Sequence, residues 1–172
     1  MSTDFSLLNK SLAIDSFVLL TLGIKGNPLF YMKYPTSFIR EVENIKRLFE
    51  KEKDAIIDFD DRAIRKLQYD CKNKETFENL LDCIAAYNYC VDTEYINNIL
   101  ETSKAMESDG TAMFNYKLPI NGDDLVGLGI MPGKQIRVLL NTLIDKAFID
   151  PTITKEECLN IALLYKNNVF YM

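Results

Sequence analysis

The chain has 172 residues, 48% of them hydrophobic and 26% charged, with a net charge of −5 and no histidine. Without histidine there is no Ser-His-Asp or Cys-His catalysis and no His-Asp phosphohydrolase centre, which leaves carboxylate–Mg²⁺ chemistry open. The acidic balance excludes a surface coated for nucleic acid, so any RNA contact has to come from a local basic patch. No run of eighteen or more apolar residues is present, so no membrane span is expected. Cys71, Cys83, Cys90 and Cys158 form no CxxC pair and read as inert buried thiols of a cytoplasmic protein, not as a zinc site.

Apolar residues recur at three and four positions, with little alternation, which predicts an all-α fold. A first amphipathic stretch spans Ser6 to Leu22, and its Leu12–Ile24 portion, which contains Asp15, reads as a core helix and not a signal peptide. Gly26-Asn27-Pro28 breaks it. Pro35-Thr36-Ser37 opens a second helix with Phe38, Val42, Ile45 and Phe49 on its inner stripe and Arg40, Glu43, Lys46 and Lys53 outside. A short helix from about Asp60 to Tyr69 presents Ile64 and Leu67. A fourth, after Asn73, aligns Phe77, Leu80, Leu81, Ile84 and Tyr87, and a fifth, capped by Asp92, carries Tyr95, Ile96, Ile99 and Leu100. Residues 1–106 are thus expected to form a helical body, residues 107–117 a linker around Asp109-Gly110, and residues 118–172 a helical tail.

The tail carries the most specific pattern. Asn121 or Gly122 can cap a short helix through Leu128, with Asp123 and Asp124 in its first turn, where the helix dipole favours negative charge. Gly129 suits the left-handed residue that ends it. Ile130-Met131-Pro132-Gly133 is a tight turn into a further helix with the stripe Ile136, Leu139, Leu140, Leu143, Ile144 and Ala147. Lys134, Arg137 and Asn141 fall at spacings of three and four on its outer face. A glycine turn feeding a helix offers free amide N–H groups, and Lys134 and Arg137 add two cations one turn apart. Gly133, Lys134, Arg137 and Asn141 are therefore the candidate seat for one or two backbone phosphates, bound without reading a base. Thr154-Lys155-Glu156-Glu157 is a capping box that starts the closing helix.

The run Pro119-Ile120-Asn121-Gly122-Asp123-Asp124-Leu125, continuing through Leu128-Gly129-Ile130-Met131-Pro132-Gly133, resembles the tail region of bacterial CCA-adding tRNA nucleotidyltransferases and the related poly(A) polymerases. The likeness covers Leu118 to Ala147 and continues more loosely to Ala162; the upstream helices fit the family's body region in length and helical content only. The resemblance implies a β-rich head that transfers nucleotides, a neck that selects CTP or ATP, and a body and tail that grip the acceptor stem and elbow of tRNA. It carries Gly122, Asp124, Leu125, Leu128, Gly129, Pro132 and Gly133 over as residues that shape the tail; Lys134 and Arg137 come from the helix geometry.

The head's signature is missing. Asp58-Phe59-Asp60 spells a DxD, but no Gly-Ser precedes it, and it reads as an acidic cap on the helix carrying Arg62 and Arg65. The family's Glu-Asp-x-x-Arg neck motif is approached by Asp60-Asp61-Arg62-Ala63-Ile64-Arg65, with the arginine one residue late. Thr21 and Leu22 stand where some relatives carry a His-Asp motif. No catalytic residue, metal site or cofactor is therefore assigned to this chain; Mg²⁺ and CTP or ATP would bind the missing head. The expected partners are tRNA and that head, with neither DNA nor membrane. A C-terminal fragment and a natural headless protein fit equally. An all-helical protein-interaction domain is the alternative reading, favoured by the acidic charge, nine tyrosines and the aromatic end Val169-Phe170-Tyr171-Met172.

Overall fold

The computed structural model describes Val18 and residues 34–52, 60–87 and 93–169. The first expected helix lies outside these residues except for Val18, which is helical and fully buried. Thr21, Leu22, Lys53, Asp58, Cys90, the expected cap Asp92 and residues 170–172 lie outside them as well. Seven helices and no strand make up the described residues, so the fold is all-α.

The body begins with α1 (Thr36–Glu52). Its inner stripe is broader than the spacing of the largest side chains implies: Ile39 and Leu48 join Val42, Ile45 and Phe49 in the core, whereas Phe38 is half-buried and stacks on Tyr34 at 5.3 Å. α2 (Asp61–Cys71) starts where the Asp60 carboxylate accepts the Ala63 N–H at 2.8 Å. It stops at Lys72, which takes a left-handed conformation (φ 67°) and donates its N–H to Gln68 O. Asp60 is thus a cap, as the sequence suggested.

α3 (Lys74–Tyr87) packs against α1, α2 and the next helix, α4 (Thr93–Asp109). Phe77, Leu80, Leu81, Cys83 and Ile84 of α3 are almost completely buried among Ile64, Leu67, Ile96, Ile99 and Met106. Burial of each large apolar side chain contributes about 1.5–3 kcal/mol, so this cluster holds the body together. Inside it lies a polar knot. The buried Gln68 amide donates to Ser103 Oγ at 2.8 Å and accepts the Met113 N–H at 2.9 Å, tying α2 to α4 and to the segment that leaves α4.

α4 runs to Asp109, three residues into the stretch expected to link body and tail. Gly110 then turns the chain with φ +77°, and Met113 is fully buried. The tail consists of α5 (Gly122–Gly127), α6 (Lys134–Ala147) and α7 (Lys155–Val169). α6 packs against both neighbours. Its core is Leu125, Ile130, Leu139, Leu143, Cys158 and Ala162, with Ile120 closing one side. A third cluster of Met113, Ala147 and Phe148, with Tyr69 and Tyr116 beside it, joins tail to body.

Candidate nucleic-acid interface

The short α5 survives because its ends are closed. Asn121 Oδ1 accepts the N–H groups of Asp123 and Asp124, and Asp124 Oδ2 accepts the Asn121 N–H at 2.9 Å, which completes a capping box. Asp124 also takes Lys155 Nζ at 2.7 Å from the start of α7. The Lys155 ammonium and then the Asn121 N–H hold the Asp124 carboxyl below its ordinary range. At the other end Gly129 turns left-handed, φ +80°. A Cβ there would lie 3.0 Å from Lys166 Nζ, which donates to Leu128 O at 2.8 Å. Gly129 is thus required by its φ, and Lys166 from α7 crosses the space a side chain would use.

This turn delivers the backbone to α6. Ile130 is buried and Met131 is 69% exposed, so Pro132 and Gly133 stand at the surface. Gly133 has φ 113° and ψ −134°, a conformation that favours glycine, and no side chain caps the helix it starts. Its carbonyl accepts the Arg137 N–H at 3.3 Å. The first-turn amide groups of α6 therefore face outward at the positive end of the helix dipole.

Charge distinguishes this end from its neighbours. α5 has Asp123 and Asp124 in its first turn and α7 has Glu156 and Glu157, whereas α6 has no acid there. Instead Lys134 and Arg137 occupy the opening turn, both exposed, and neither makes a salt bridge or a side-chain hydrogen bond among the described residues. Asn141 is exposed on the same face one turn further on, while Leu139, Leu143 and Ala147 point into the tail. The helix thus displays all four sequence-predicted residues, Gly133, Lys134, Arg137 and Asn141, along one outer face. Periodicity did not reveal that Val138, 41% exposed, shares this face with them, nor that Met131 stands beside its start.

The closing helix begins with the expected reciprocal cap: Glu157 Oε2 accepts the Thr154 N–H at 2.8 Å, and Thr154 Oγ1 accepts the Glu157 N–H at 3.2 Å. The Thr154 N–H and then the Thr154 hydroxyl, which donates to the same Oε2 at 2.7 Å, hold the Glu157 carboxyl below its usual value. Between the end of α6 and the start of α7 lies a groove of about 360 Å³, lined by Ile149, Ile153, Ile161, Lys146, Asp150, Glu157 and Asn160. Both of its carboxylates already accept bonds from their own turns.

Cys71, Cys83 and Cys158 are buried, and burial pushes the Cys71 thiol up to about 12. No group of three potential metal ligands exists among the described residues. None of their helices is long and apolar enough to cross a membrane. No family model, curated protein or solved structure matches the chain.

Proposed function

We propose that this chain grips structured RNA of the tRNA type by its sugar–phosphate backbone, as the body and tail of a CCA-adding tRNA nucleotidyltransferase, while nucleotide transfer belongs to a head domain. One observation carries the reading: the N-terminus of α6 is open, free of acids and flanked by the unpaired cations Lys134 and Arg137. Lys155 and Lys166 of the same tail are already spent on Asp124 and Leu128 O. A phosphate seated on the Lys134–Ile136 amide groups would meet both cations, and Asn141 would donate to the next oxygen along the strand. Such contacts position a duplex without reading its sequence. The family resemblance of Leu118–Ala147 supplies the RNA class. Buried reduced thiols suit work in the cytoplasm.

The test is a fluorescence titration with a tRNA acceptor minihelix at low salt. We expect dissociation constants of roughly 10–100 µM for this chain alone, alike for minihelices of different sequence, because few phosphates are neutralised. Lys134→Glu together with Arg137→Glu should abolish it. Absence of binding in this range and indifference to the double substitution would sink the proposal.

A second reading, a protein-interaction domain, is favoured by a different observation. Leu164 and Ile149 are 64% and 60% exposed, with Leu163 near 39%, and α7 carries apolar residues on more than one face. Self-association in sedimentation equilibrium without any affinity for RNA would establish that reading instead.

A further inference from the structure

Arg65 belongs to α2 in the body, yet it reaches into the tail. Its Nη1 donates to the Phe148 carbonyl oxygen at 3.2 Å, across 83 residues of sequence. Its Nη2 lies 3.7 Å from Asp61 Oδ2, one helical turn back, and the side chain is only 12% exposed. The Nε–H is buried with no acceptor. A guanidinium so placed has lost water, and only the carbonyl and the nearby carboxylates offset that loss. Two of those carboxylates flank the seam. Asp109 at the end of α4 and Asp150, two residues past Phe148, both feel the Arg65 charge.

The neighbouring contacts are of the same kind. Tyr69, one turn along α2, meets the Phe148 ring edge-on at 5.5 Å and 66°. Gln68, between them, holds the Met113 N–H. Among the described residues no body helix packs along its length against a tail helix, and each unit has its own apolar cluster. α2 is therefore the element that touches both the chain leaving the body and the turn that ends α6.

We propose that Arg65 is a latch: its bond to Phe148 fixes the angle of the tail on the body, and without it the tail swings about residues 110–117 as a folded unit. This inference is independent of the RNA reading, since it concerns how two packed units are joined. Its consequence is positional, because any ligand spanning both units is held only at the angle the latch sets.

Arg65→Met keeps the apolar stem and removes the donors and the charge; Arg65→Lys keeps the charge and one point donor. Small-angle scattering and trypsin cleavage after the exposed Lys117 read the seam, and far-UV circular dichroism reads the helices. For Arg65→Met we expect retained helicity, a larger radius of gyration and cleavage about tenfold faster, equivalent to about 1.4 kcal/mol. Arg65→Lys should fall between it and the parent. Parental scattering and cleavage in Arg65→Met would overturn the proposal. So would loss of helicity in both variants, which would make Arg65 a support of α2 itself; if only the methionine variant unfolds, parental scattering of Arg65→Lys overturns it equally.

Discussion

Body and tail are both small helical assemblies, but they are held by different means. The body buries bulky side chains from four helices in one cluster, with Phe49, Phe77, Leu80 and Leu81 almost wholly removed from water. Its buried polar contacts are few: Gln68 and Ser103 satisfy each other, whereas Asn79 Nδ2 and Arg65 Nε have no partner among the described residues. The tail has a thinner core that includes Cys158 and Ala162, and it makes up the difference at helix ends: two capping boxes, the Lys155–Asp124 pair and the Lys166 bond to Leu128 O. Ion pairs, which salt screens, are present in the body as well, where Lys51 and Lys66 share Glu52 and Asp70. The tail thus leans on its helix ends more than the body does, and it also displays the open cationic end of α6. Four changes put that contrast to the test.

The largest effect belongs to the cores. Phe77→Ala should cost about 3–5 kcal/mol and Leu125→Ala about 2–5 kcal/mol, through lost burial and the cavities left behind. Hydrogen exchange separates them: Phe77→Ala should expose amides of α1–α4, and Leu125→Ala chiefly those of α5–α7. Loss of protection everywhere in both variants would mean that the two units are one.

Next comes Gly129→Ala. Its φ of +80° costs an alanine about 1–2 kcal/mol, and the added Cβ presses on Lys166, 3.0 Å away. Thermal unfolding should show a lower midpoint, and the Leu128 carbonyl should lose its ammonium partner. An unchanged midpoint would show that the turn can relax without the glycine.

Acid should then act on the two units differently. Asp124, Asp150 and Glu157 of the tail titrate below their ordinary values, because Lys155, Thr152 and Thr154 respectively hydrogen-bond their carboxylates. A group with a lowered folded pKa contributes stability that is complete above its ordinary pKa of about 4 and is lost as pH falls through the lowered value. In the body Asp109 is lowered in the same way by Thr111, one such carboxyl against the tail's three. Burial and then Glu78 raise Asp82, whose contribution has the opposite sign: it is present in acid and lost as pH rises through the raised value. On lowering the pH below about 4, α5–α7 should therefore unfold before α1–α4. Simultaneous loss, or body first, would refute the division. The smallest effect is that of Lys134→Glu with Arg137→Glu on stability. Both side chains are exposed and unpaired among the described residues, so the unfolding free energy from denaturant titration should change by no more than about 0.5 kcal/mol for each substitution.

The elements that sequence made legible are those whose cause is local. Capping by Asp60, by Asn121 with Asp124 and by Thr154 with Glu157 depends on residues three apart, and the left-handed Gly129 on one residue. The outer placement of Lys134, Arg137 and Asn141 follows from the inward register of Leu139 and Leu143. What could not be read there spans long separations. The Gln68 bond to Met113 crosses 45 residues and the Arg65 bond to Phe148 crosses 83, so no period or cap signals either one. Ile39 and Leu48 fall beside the single Phe38-Val42-Ile45-Phe49 register that the spacing offers, while the core of α1 uses a wider arc. Lys155 and Lys166 look like ordinary surface cations until folding carries them to α5.

Whether the open end of α6 holds RNA is read by the salt dependence of minihelix binding in the parent chain and in the Lys134→Glu, Arg137→Glu double variant. If the open end of α6 seats RNA phosphates, the parent's log–log slope should be about −2, as two neutralised phosphates give, and the double variant should show no measurable binding. Equal affinity and equal slope in the two proteins would contradict it.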